Sequence, residues 1–484
     1  MMTHPIHRRA TAKNGMEERS IVQVTRRDFL RAAAVTSAAT VPYFYTSKST
    51  AADSPNERLQ IGAIGTSIYA NRYTGQGDHP GRGAVVGHQA GKLGDMVAVS
   101  DVNRRNAEFF AQAYRGNCTI FNDYQDLLAR DDIDAVTIGT PDHWHAKIAI
   151  DAMRAGKHVY CEKPLSLTIR EGQQVCKAAQ QTGKVFQVGT QQRSEFDQVF
   201  LKAVAIARSG MLGDKLHCLI SVGEGERGGP FKNAPVPDHL DWDRWLGQAP
   251  EVPYCPQRCD YDFRWWLEYS GGQVTDWGVH HGDIAMWAMG LDHSGPTRIT
   301  GSGTYPTIEN GYNTAVDFDC HFEFAGGHTA RLYSGKNELI ISGERGRIRV
   351  NRGGLTGKPA EELGVAHKVG ADEWGGGQAA PDAPRGGDGP EWMQEAVRKL
   401  CNNKRPGNHM QNFFDCIRDG GTPISDPWSH HRSVSLCHLA NIAMRLERPL
   451  IWDPEKEEFP DDEAANSMRT RPQREGFQID VAIS

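Results

Sequence analysis

Apolar positions between Ile133 and Leu165 follow two periods, which predict a strand, a helix and a second strand. The β-branched run Ile133–Ile138 is typical of a strand buried on both faces. Apolar residues then recur at helical spacing over Ala146–Ala155, and Gly156 stands where a helix C-cap is expected. His158–Cys161 predicts the second strand. Because ligands bind beyond the carboxyl ends of parallel strands, the loops after both strands are predicted to face one crevice.

The same alternation of strands and helices extends on both sides of this stretch. Leu59–Ile64, Met96–Ser100 and Val185–Val188 predict further strands, and Arg170–Thr182 predicts a helix. The first half of the chain therefore predicts an α/β fold with a doubly wound parallel sheet of the Rossmann type.

Beyond Ser194 the pattern changes to short strands separated by loops. The last four predicted strands have glycine-containing turns between them and indicate an antiparallel meander: Ala315–Phe324, His328–Tyr333, Glu338–Ser342 and Arg347–Val350. The second half is predicted to be an α+β domain with a mostly antiparallel open sheet. Gly353–Pro390 has no pattern and predicts a flexible loop. Helices are predicted at Asn408–Arg418 and Trp428–Leu446.

The first residues of the chain have the pattern of a targeting segment. Thr25–Arg31 contains two adjacent arginines and precedes the weakly hydrophobic run Ala32–Val41. This resembles the bacterial twin-arginine export signal and predicts a periplasmic or otherwise exported protein. The alternative is a basic disordered tail. We therefore divide the chain into a signal segment (1–52), a dinucleotide-binding domain (53–190), an α+β domain (191–455) and an extended tail (456–484).

Composition excludes some classes of function. The net charge of −6 gives no electrostatic basis for binding nucleic acid. No apolar run approaches the roughly 20 residues that a membrane span needs. Most of the ten cysteines lie in apolar runs and are predicted to be buried thiols. Cys255 and Cys259 lie in a polar loop, and a disulfide between them stays an open alternative.

A phosphate-binding loop is predicted after the first strand. Gly65 ends that strand, but the usual glycine pattern would need glycine at Ser67, and Ala70 occupies its third position. Ser67 would instead offer its hydroxyl group to the phosphates. The glycine-rich stretch Asn71–Gly83 follows, and we interpret it as an insertion within the loop.

An acidic residue at the end of the second strand indicates the cofactor. Asp101 follows Met96–Ser100, where a carboxylate accepts hydrogen bonds from the adenosine ribose and repels a 2′-phosphate. It lies 18 positions after Gly83, near the expected spacing of about 20. We expect NAD; Arg104 and Arg105 leave NADP as the alternative, although a charged helix start explains them better.

The central stretch resembles the glucose–fructose oxidoreductase/inositol dehydrogenase (Gfo/Idh/MocA) family. The order and spacing match a family pattern at Thr140, Pro141, His145, Gly156, Lys157, Glu162, Lys163 and Pro164. The resemblance covers roughly residues 58 to 455. It implies that these loops carry the nicotinamide site, with His143 as a further candidate in the first loop and Gln191 in the segment that starts the second domain.

A second motif carries the predicted proton chemistry. Asp276 and His280 are four residues apart, so on a helix they would share one face and touch. A carboxylate beside a histidine sets its tautomer and raises its basicity. The resemblance implies that His280 accepts the substrate proton, that Asp276 orients it or binds substrate, and that Lys163 holds the reacting oxygen; Lys163 as the proton acceptor stays open. The alternative is a helix cap beside a structural histidine.

Candidate substrate contacts come from nearby charged and aromatic residues. Arg264 and Trp265 belong to an aromatic run of the kind that stacks on sugar rings, although a domain-interface cluster explains that run equally well. Arg193 and His281 are further candidates. The histidines, including the pair His143 and His145, have no carboxylate or cysteine at a recognisable metal-ligand spacing, so no metal site is predicted.

The combined expectation is an NAD-dependent oxidoreductase that takes a hydride from a secondary hydroxyl of a sugar, sugar derivative or cyclitol. Free NAD is scarce in the periplasm, so export predicts a tightly held cofactor that is reduced and reoxidised in one site. Two alternatives stay open: a redox-assisted glycoside hydrolase and a non-catalytic sugar-binding protein. The resemblance also implies a homo-oligomer formed through the second-domain sheet.

Overall fold

The computed structural model describes residues 58–69, 79–368, 386–404 and 407–482; the predicted export signal lies outside them. The strands of the first half are β1 (Gln60–Ile64), β2 (Ile68–Tyr69), β3 (His79–Pro80), β4 (Asp95–Ser100), β5 (Thr119–Phe121), β6 (Ala135–Ile138), β7 (His158–Glu162) and β8 (Phe186–Gly189). Its helices are α1 (Arg82–Leu93), α2 (Arg104–Gln112), α3 (Tyr124–Leu128), α4 (Asp142–Arg154) and α5 (Ile169–Thr182).

Six of these strands form one parallel sheet in the order β5-β4-β1-β6-β7-β8. All four residues of the central strand β6 are buried, as expected for a strand with helices on both faces. The strand order changes direction between β1 and β6: β4 and β5 lie on one side of β1, and β6, β7 and β8 lie on the other. A crevice therefore opens at the carboxyl ends of β1 and β6. The predicted Rossmann-type sheet is confirmed.

The second half contains β9 (His217–Val222), β10 (Arg298–Thr304), β11 (Asp317–Glu323), β12 (Thr329–Ser334), β13 (Glu338–Gly343), β14 (Gly346–Asn351), β15 (Gly354–Thr356), β16 (His367–Lys368) and β17 (Leu450–Ile451). Its helices are α6 (Val199–Arg208), α7 (Trp242–Leu246), α8 (Gln273–Asp276), α9 (Gly278–Met289), α10 (Lys358–Glu362), α11 (Glu391–Leu400), α12 (His409–Asp419), α13 (Pro427–Leu446) and α14 (Glu463–Ser467).

The second sheet has nine strands in the order β16-β15-β14-β13-β9-β12-β11-β10-β17. It is mostly antiparallel, as predicted, but the four-strand meander is wrong. Strand β9 lies between β12 and β13, parallel to the first and antiparallel to the second. Its inward residues Cys218, Ile220 and Val222 are buried, so this strand occupies the middle of the sheet. Turn signals show which strands follow one another, and they contain no information about a distant strand that inserts between them.

Two segments are more ordered than predicted. In Gly353–Pro390, the described residues 353–368 contain β15, α10 and β16, and the short strands pair with β14 and with each other. The tail after residue 456 contains α14 and buries Ile479 and Val481. Arg154 donates a hydrogen bond of 2.6 Å to the carbonyl of Asp480. These segments depend on long-range partners, which a local pattern cannot reveal.

Helix α13 joins the two halves. It packs against α5 and β8 of the first half and against α9 and β10 of the second. Its apolar stripe, which includes Leu436, Leu439 and Ala440, is fully buried. All ten cysteines, including Cys255 and Cys259, are free and buried thiols. Within the described residues, no helix is both long and apolar enough to cross a membrane.

Candidate active site

A cavity of about 670 Å³, called the main cavity below, lies at the carboxyl ends of the parallel strands. Its lining includes Gly65, Asp101 and Lys163 of the first half and Arg264 of the second. This position follows from the fold. Strands end and helices begin there, so backbone and side-chain groups at these ends are not paired within their own element and can bind a ligand.

The loop at the start of the cavity brings two backbones close together. Gly65 has φ +73°, and a Cβ atom there would lie 2.5 Å from Cγ2 of Thr140. A Cβ atom on Gly83 would lie 1.8 Å from the carbonyl oxygen of Gly65. Gly83 therefore allows the close approach of helix and loop that the third glycine of the usual pattern provides, a position that Ala70 occupies in the sequence. The predicted insertion therefore begins between Gly65 and α1. Residues 70–78 lie outside the described part of the chain.

This loop fits a dinucleotide pyrophosphate. Helix α1 has no acidic residue in its first turn, and Arg82 begins it. Its first N–H groups have no partner within the helix and favour an anion. Ser67 lines the main cavity, and its carbonyl accepts a hydrogen bond of 2.7 Å from the N–H of Gly81.

Asp101 links the loop to the expected ribose position. Its carboxylate accepts hydrogen bonds of 2.8 Å from the N–H groups of Thr66 and Asn103 and still lines the main cavity. Burial raises its pKa, and these hydrogen bonds act against the increase. Arg104 forms an ion pair of 2.7 Å with Glu108, whereas Arg105 lines the cavity.

The second half supplies the opposite wall of this end of the cavity. The N–H of Arg104 donates to the carbonyl of His239 (2.8 Å), and the N–H of Asp241 donates to the carbonyl of Val102 (2.9 Å). These bonds attach the segment 239–241 to the loop that follows Asp101. Phe477 of the C-terminal tail also lines the cavity.

The tail is held beside the cavity by one arginine. Arg474 donates hydrogen bonds to the carbonyls of Gly247 (2.9 Å) and Asp243 (2.6 Å), and its guanidinium lies 4.6 Å from the ring centre of Phe477. The Phe477 ring packs edge-on against Trp144 with centroids 5.9 Å apart. The tail is therefore part of the cavity wall.

At the other end of the cavity, Lys163 follows β7 and reaches Asp276 of α8. Its ammonium group contacts the Asp276 carboxylate and donates a hydrogen bond of 3.0 Å to the Asp276 carbonyl. Arg264 lies 3.4 Å from the second carboxylate oxygen. Burial acts to raise the pKa of Asp276, but the two cations outweigh it and lower that pKa to about 2. Asp276 is therefore an anion between two cations.

The predicted contact between Asp276 and His280 is wrong. Trp277 separates α8 from α9, and Lys163 and Arg264 are the partners that the Asp276 carboxylate has within the described residues. His280 Nε2 instead accepts a hydrogen bond of 3.1 Å from Arg352, and its Nδ1 has no partner among these residues. Burial, followed by the charges of Arg352 and Lys163, lowers the pKa of His280 well below its ordinary value. The ring is neutral near pH 7.

The first loop holds its candidates in different ways. Both ring nitrogens of His145 lie within hydrogen-bond distance of carbonyls, Nδ1 at 2.6 Å from Pro164 and Nε2 at 2.9 Å from Thr140. His145 thereby ties the two predicted loops together at the cavity, which Thr140 and Pro141 also line. His143 donates to the carbonyl of Trp245 at 2.9 Å. It does not line the cavity, so its role as a cofactor contact is not supported by its position.

Glu162 is positioned by two neighbours. Arg82 Nε lies 2.9 Å from its carboxylate, and Gln191 Nε2 donates to the same oxygen at 2.9 Å. Glu162 and Arg82 line the main cavity, whereas Gln191 is buried behind Glu162. The structure therefore places Gln191 as a support for Glu162 and away from the cavity surface.

Three of the four predicted substrate contacts are buried away from the main cavity. Arg193 forms a two-bond ion pair with Asp283, at 2.6 and 2.7 Å. His281 donates to Asn337 at 2.7 Å, and Trp265 is 2% exposed. Arg264 alone of the four lines the cavity. The three residues differ from Arg264 in being buried away from the cavity, and the sequence around them contains no signal that predicts this burial.

Sequence reasoning also missed residues at the site. Arg82 falls within the predicted insertion. Its position at the start of a helix, beside a phosphate loop, is a signal that could have identified it as a site residue. Asp142 lines the cavity and accepts a hydrogen bond of 2.5 Å from Ser270. Arg352 reaches His280 from the turn after β14, and Phe477 comes from the tail. The last two are separated from the motifs by long stretches of chain, so no local pattern indicates them.

Similarity to known proteins agrees with this arrangement. A 195-residue stretch is 33% identical to an inositol 2-dehydrogenase of Gluconacetobacter diazotrophicus and covers 39% of this chain and 54% of that protein. A 131-residue stretch is 34% identical to a glycosyl hydrolase family 109 protein of Shewanella sp. (strain W3-18-1), covering 25% of this chain and 28% of that protein. The matched part of the chain thus spans about half or less of these curated relatives.

The fold and the family follow from longer matches. The aldose-aldose oxidoreductase of Caulobacter crescentus superposes with a TM-score of 0.54 at 15% identity, over 81% of this chain and 99% of that chain. The model of the oxidoreductase family's NAD-binding Rossmann fold matches residues 59–190, and that of its C-terminal α/β domain matches residues 206–308 and 389–479. The chain therefore belongs to the Gfo/Idh/MocA oxidoreductase family and has its NAD-binding Rossmann domain.

Proposed function

We propose that this protein oxidises a secondary hydroxyl of a sugar, sugar derivative or cyclitol by hydride transfer to NAD. One observation carries the proposal: Lys163 and Arg264, which hold the Asp276 carboxylate between them, line the same cavity as Gly65, Ser67 and Asp101. NAD, when bound, supplies the hydride acceptor. The relatives named above, an inositol 2-dehydrogenase and an aldose-aldose oxidoreductase, support polyol substrates.

The residues of this chain supply orientation and charge. Lys163 holds the reacting hydroxyl oxygen and stabilises the negative charge that develops on it. Asp276, kept ionised by its low pKa, fixes the Lys163 ammonium group and accepts a hydrogen bond from a substrate hydroxyl. His280 is neutral, which is the protonation state that a base requires, but its Nε2 accepts from Arg352 in the present arrangement.

A second candidate is a redox-neutral glycoside hydrolase. In this reaction, transient oxidation at C3 acidifies the C2 proton and permits elimination of the aglycone. Relatives named as glycosyl hydrolase family 109 proteins support it. Incubation with a nitrophenyl glycoside distinguishes the two: aglycone release without net reduced cofactor indicates the hydrolase, and stoichiometric reduced cofactor indicates the dehydrogenase. Neither signal, together with sugar binding, would indicate a non-catalytic binding protein.

We further propose export to the periplasm with the cofactor already bound, on the basis of the twin arginines in Thr25–Arg31. The walls from segment 239–241 and from the tail would slow cofactor release, because their contacts must break before the cavity opens. Residues 71–78 of the predicted insertion Asn71–Gly83 lie outside the described residues. The homo-oligomer stays a prediction; Asp317, His321 and Glu323 on one face of β11 are exposed.

Cofactor retention tests the proposed function. We expect the purified protein to carry its nicotinamide cofactor through gel filtration, and mass analysis of the released compound to identify NAD rather than NADP. Arg474→Ala, which detaches the tail from Asp243, should shorten retention severalfold. Arg448→Ala is the matched control, since Arg448 pairs with Asp462 at 2.7 Å in the tail and lies outside the cavity lining. Wild-type protein that elutes empty and still turns over with added NAD would contradict tight binding.

A further inference from the structure

Arg352 is a cation beside the active site, just outside the lining of the main cavity, and it has no carboxylate partner among the described residues. It follows β14, and its guanidinium contacts two aromatic rings, 4.5 Å from the centre of Trp277 and 4.8 Å from that of Phe196. Its Nη2 donates to His280 Nε2 at 3.1 Å, and its Nε is buried with no hydrogen-bond partner in the part of the chain that the structure describes. By contrast, the buried Arg193 has Asp283 as its counterion.

The surroundings make this charge costly. Burial, followed by the charge of Arg82, lowers the pKa of Arg352 to about 10, although Asp276 and Glu162 act in the opposite direction. All of these groups belong to the site that contains Lys163, so Arg352 faces the same centre as the proposed chemistry. A buried guanidinium that lacks a directly bonded anion favours an incoming one.

We propose that Arg352 binds a carboxylate of the substrate, so that the preferred substrates are sugar acids such as uronates. Two aromatic rings contact the guanidinium, and its Nε has no hydrogen-bond partner among the described residues, so this edge remains for a ligand; a guanidinium edge matches the two oxygens of a carboxylate. A phosphate dianion fits less well because Asp276, Glu162 and Glu195 would repel its second charge.

Binding of the carboxylate would also release the base. The hydrogen bond from Arg352 occupies the lone pair of His280 Nε2, so this atom accepts no proton while the bond persists. A carboxylate that draws Arg352 towards itself frees the lone pair for the substrate hydroxyl proton. Recognition of the acid group and activation of His280 would thus be coupled. This inference rests on the proposed oxidation of a hydroxyl group.

Calorimetric titration of the protein as purified tests the inference without requiring turnover. D-glucuronate and D-galacturonate are compared with D-glucose and D-galactose. We expect the wild type to bind at least one uronate about tenfold or more tightly than its parent sugar, a difference of about 1.4 kcal/mol. Arg352→Ala should abolish this preference, and Arg352→Lys should keep part of it, because lysine retains the charge without the fork.

The matched control is Arg445→Ala. Arg445 also lies over an aromatic ring, at 4.7 Å from the centre of Tyr305, but it donates to the carbonyl of Asn313 at 3.4 Å, whereas Arg352 donates to His280. This variant should keep the wild-type preference. Thermal melting by circular dichroism shows whether Arg352→Ala is folded, and Arg352→Lys provides the test if it is not.

Three results would overturn the inference: equal or tighter binding of the parent sugars by the wild type, an unchanged preference in both Arg352 variants, or no binding of either sugar class. Nicotinamide absorbance, read separately with neutral polyols, reports on the proposed oxidation. A protein that oxidises neutral polyols and ignores uronates would retain the proposed function and refute the carboxylate site.

Discussion

Two buried ion pairs, Arg193–Asp283 and Lys163–Asp276, each join a basic side chain to an aspartate, and their surroundings differ. The side chains of Arg193 and Asp283 are 2% and 0% exposed, and those of Lys163 and Asp276 are 12% and 9% exposed. Arg193 also donates to the carbonyl of Ile424 at 2.9 Å and stacks over Trp287 at 4.8 Å. Lys163 instead lines the main cavity.

The difference lies in what remains available to a ligand. Asp283 accepts two bonds from Arg193 and one of 2.8 Å from Ser433, so its oxygens are used within the protein. Lys163 has one carboxylate partner, Asp276, and its position at the cavity allows a ligand oxygen to approach. An ion pair that is fully enclosed and fully hydrogen-bonded stabilises the fold, whereas one at a cavity wall can serve chemistry.

The largest effect should follow from breaking the enclosed pair. Arg193→Ala leaves Asp283 buried and without its counterion, and we expect a loss of about 3–5 kcal/mol in the free energy of unfolding. Urea unfolding measures it. Arg331→Ala is the control, since Arg331 pairs with Asp319 at 2.8 Å with both side chains about 40% exposed; its loss should stay within about 1 kcal/mol. Equal losses in the two variants would remove the distinction.

Breaking the cavity pair should impair turnover more than stability. Lys163→Met removes the charge at the reacting oxygen, and we expect a loss in kcat of about 10²-fold or more, which corresponds to about 3 kcal/mol. Asp276 keeps Arg264 as its counterion, so the loss of stability should be smaller than in Arg193→Ala. Steady-state kinetics and urea unfolding are measured on the same preparation. An unchanged kcat would refute the role given to Lys163.

The smallest effect is a change in pH dependence. Because the folded pKa of Asp276 is about 2, below its ordinary 3.8, its stabilising contribution of about 2 kcal/mol is present above the ordinary pKa and is lost as the pH falls towards 2. Asp276→Asn should therefore flatten the acid limb of stability. Unfolding free energies are compared between about pH 3 and about pH 6.

Asp132→Asn provides the comparison for this titration. Asp132 also has a lowered pKa, through its hydrogen bond with Arg130, but it lies at the exposed surface. Solvent screening should make its effect on the acid limb small. An acid limb that is identical in wild type and Asp276→Asn would show that the cavity pair does not contribute to stability.

Local elements and chemical groups could be predicted from the sequence alone. Buried strands and amphipathic helices have short periods, so β6, α4 and β7 were predicted from Ile133–Leu165 with ends that shift by a few residues. The same stretch was enough to indicate the family and to identify Lys163. Asp101 at the end of β4 was equally evident, because strand ends in a parallel sheet all meet at one crevice.

The pairing of charged groups, by contrast, depends on contacts between distant parts of the chain. Asp276 and His280 are close in sequence, yet Asp276 contacts Lys163, 113 positions away, and His280 contacts Arg352, 72 positions away. Sequence spacing reports neighbours along one element. Burial and counterions come from other elements that pack against it, and these set both pKa values. The motifs therefore identified the residues, and packing between the two sheets assigned their partners.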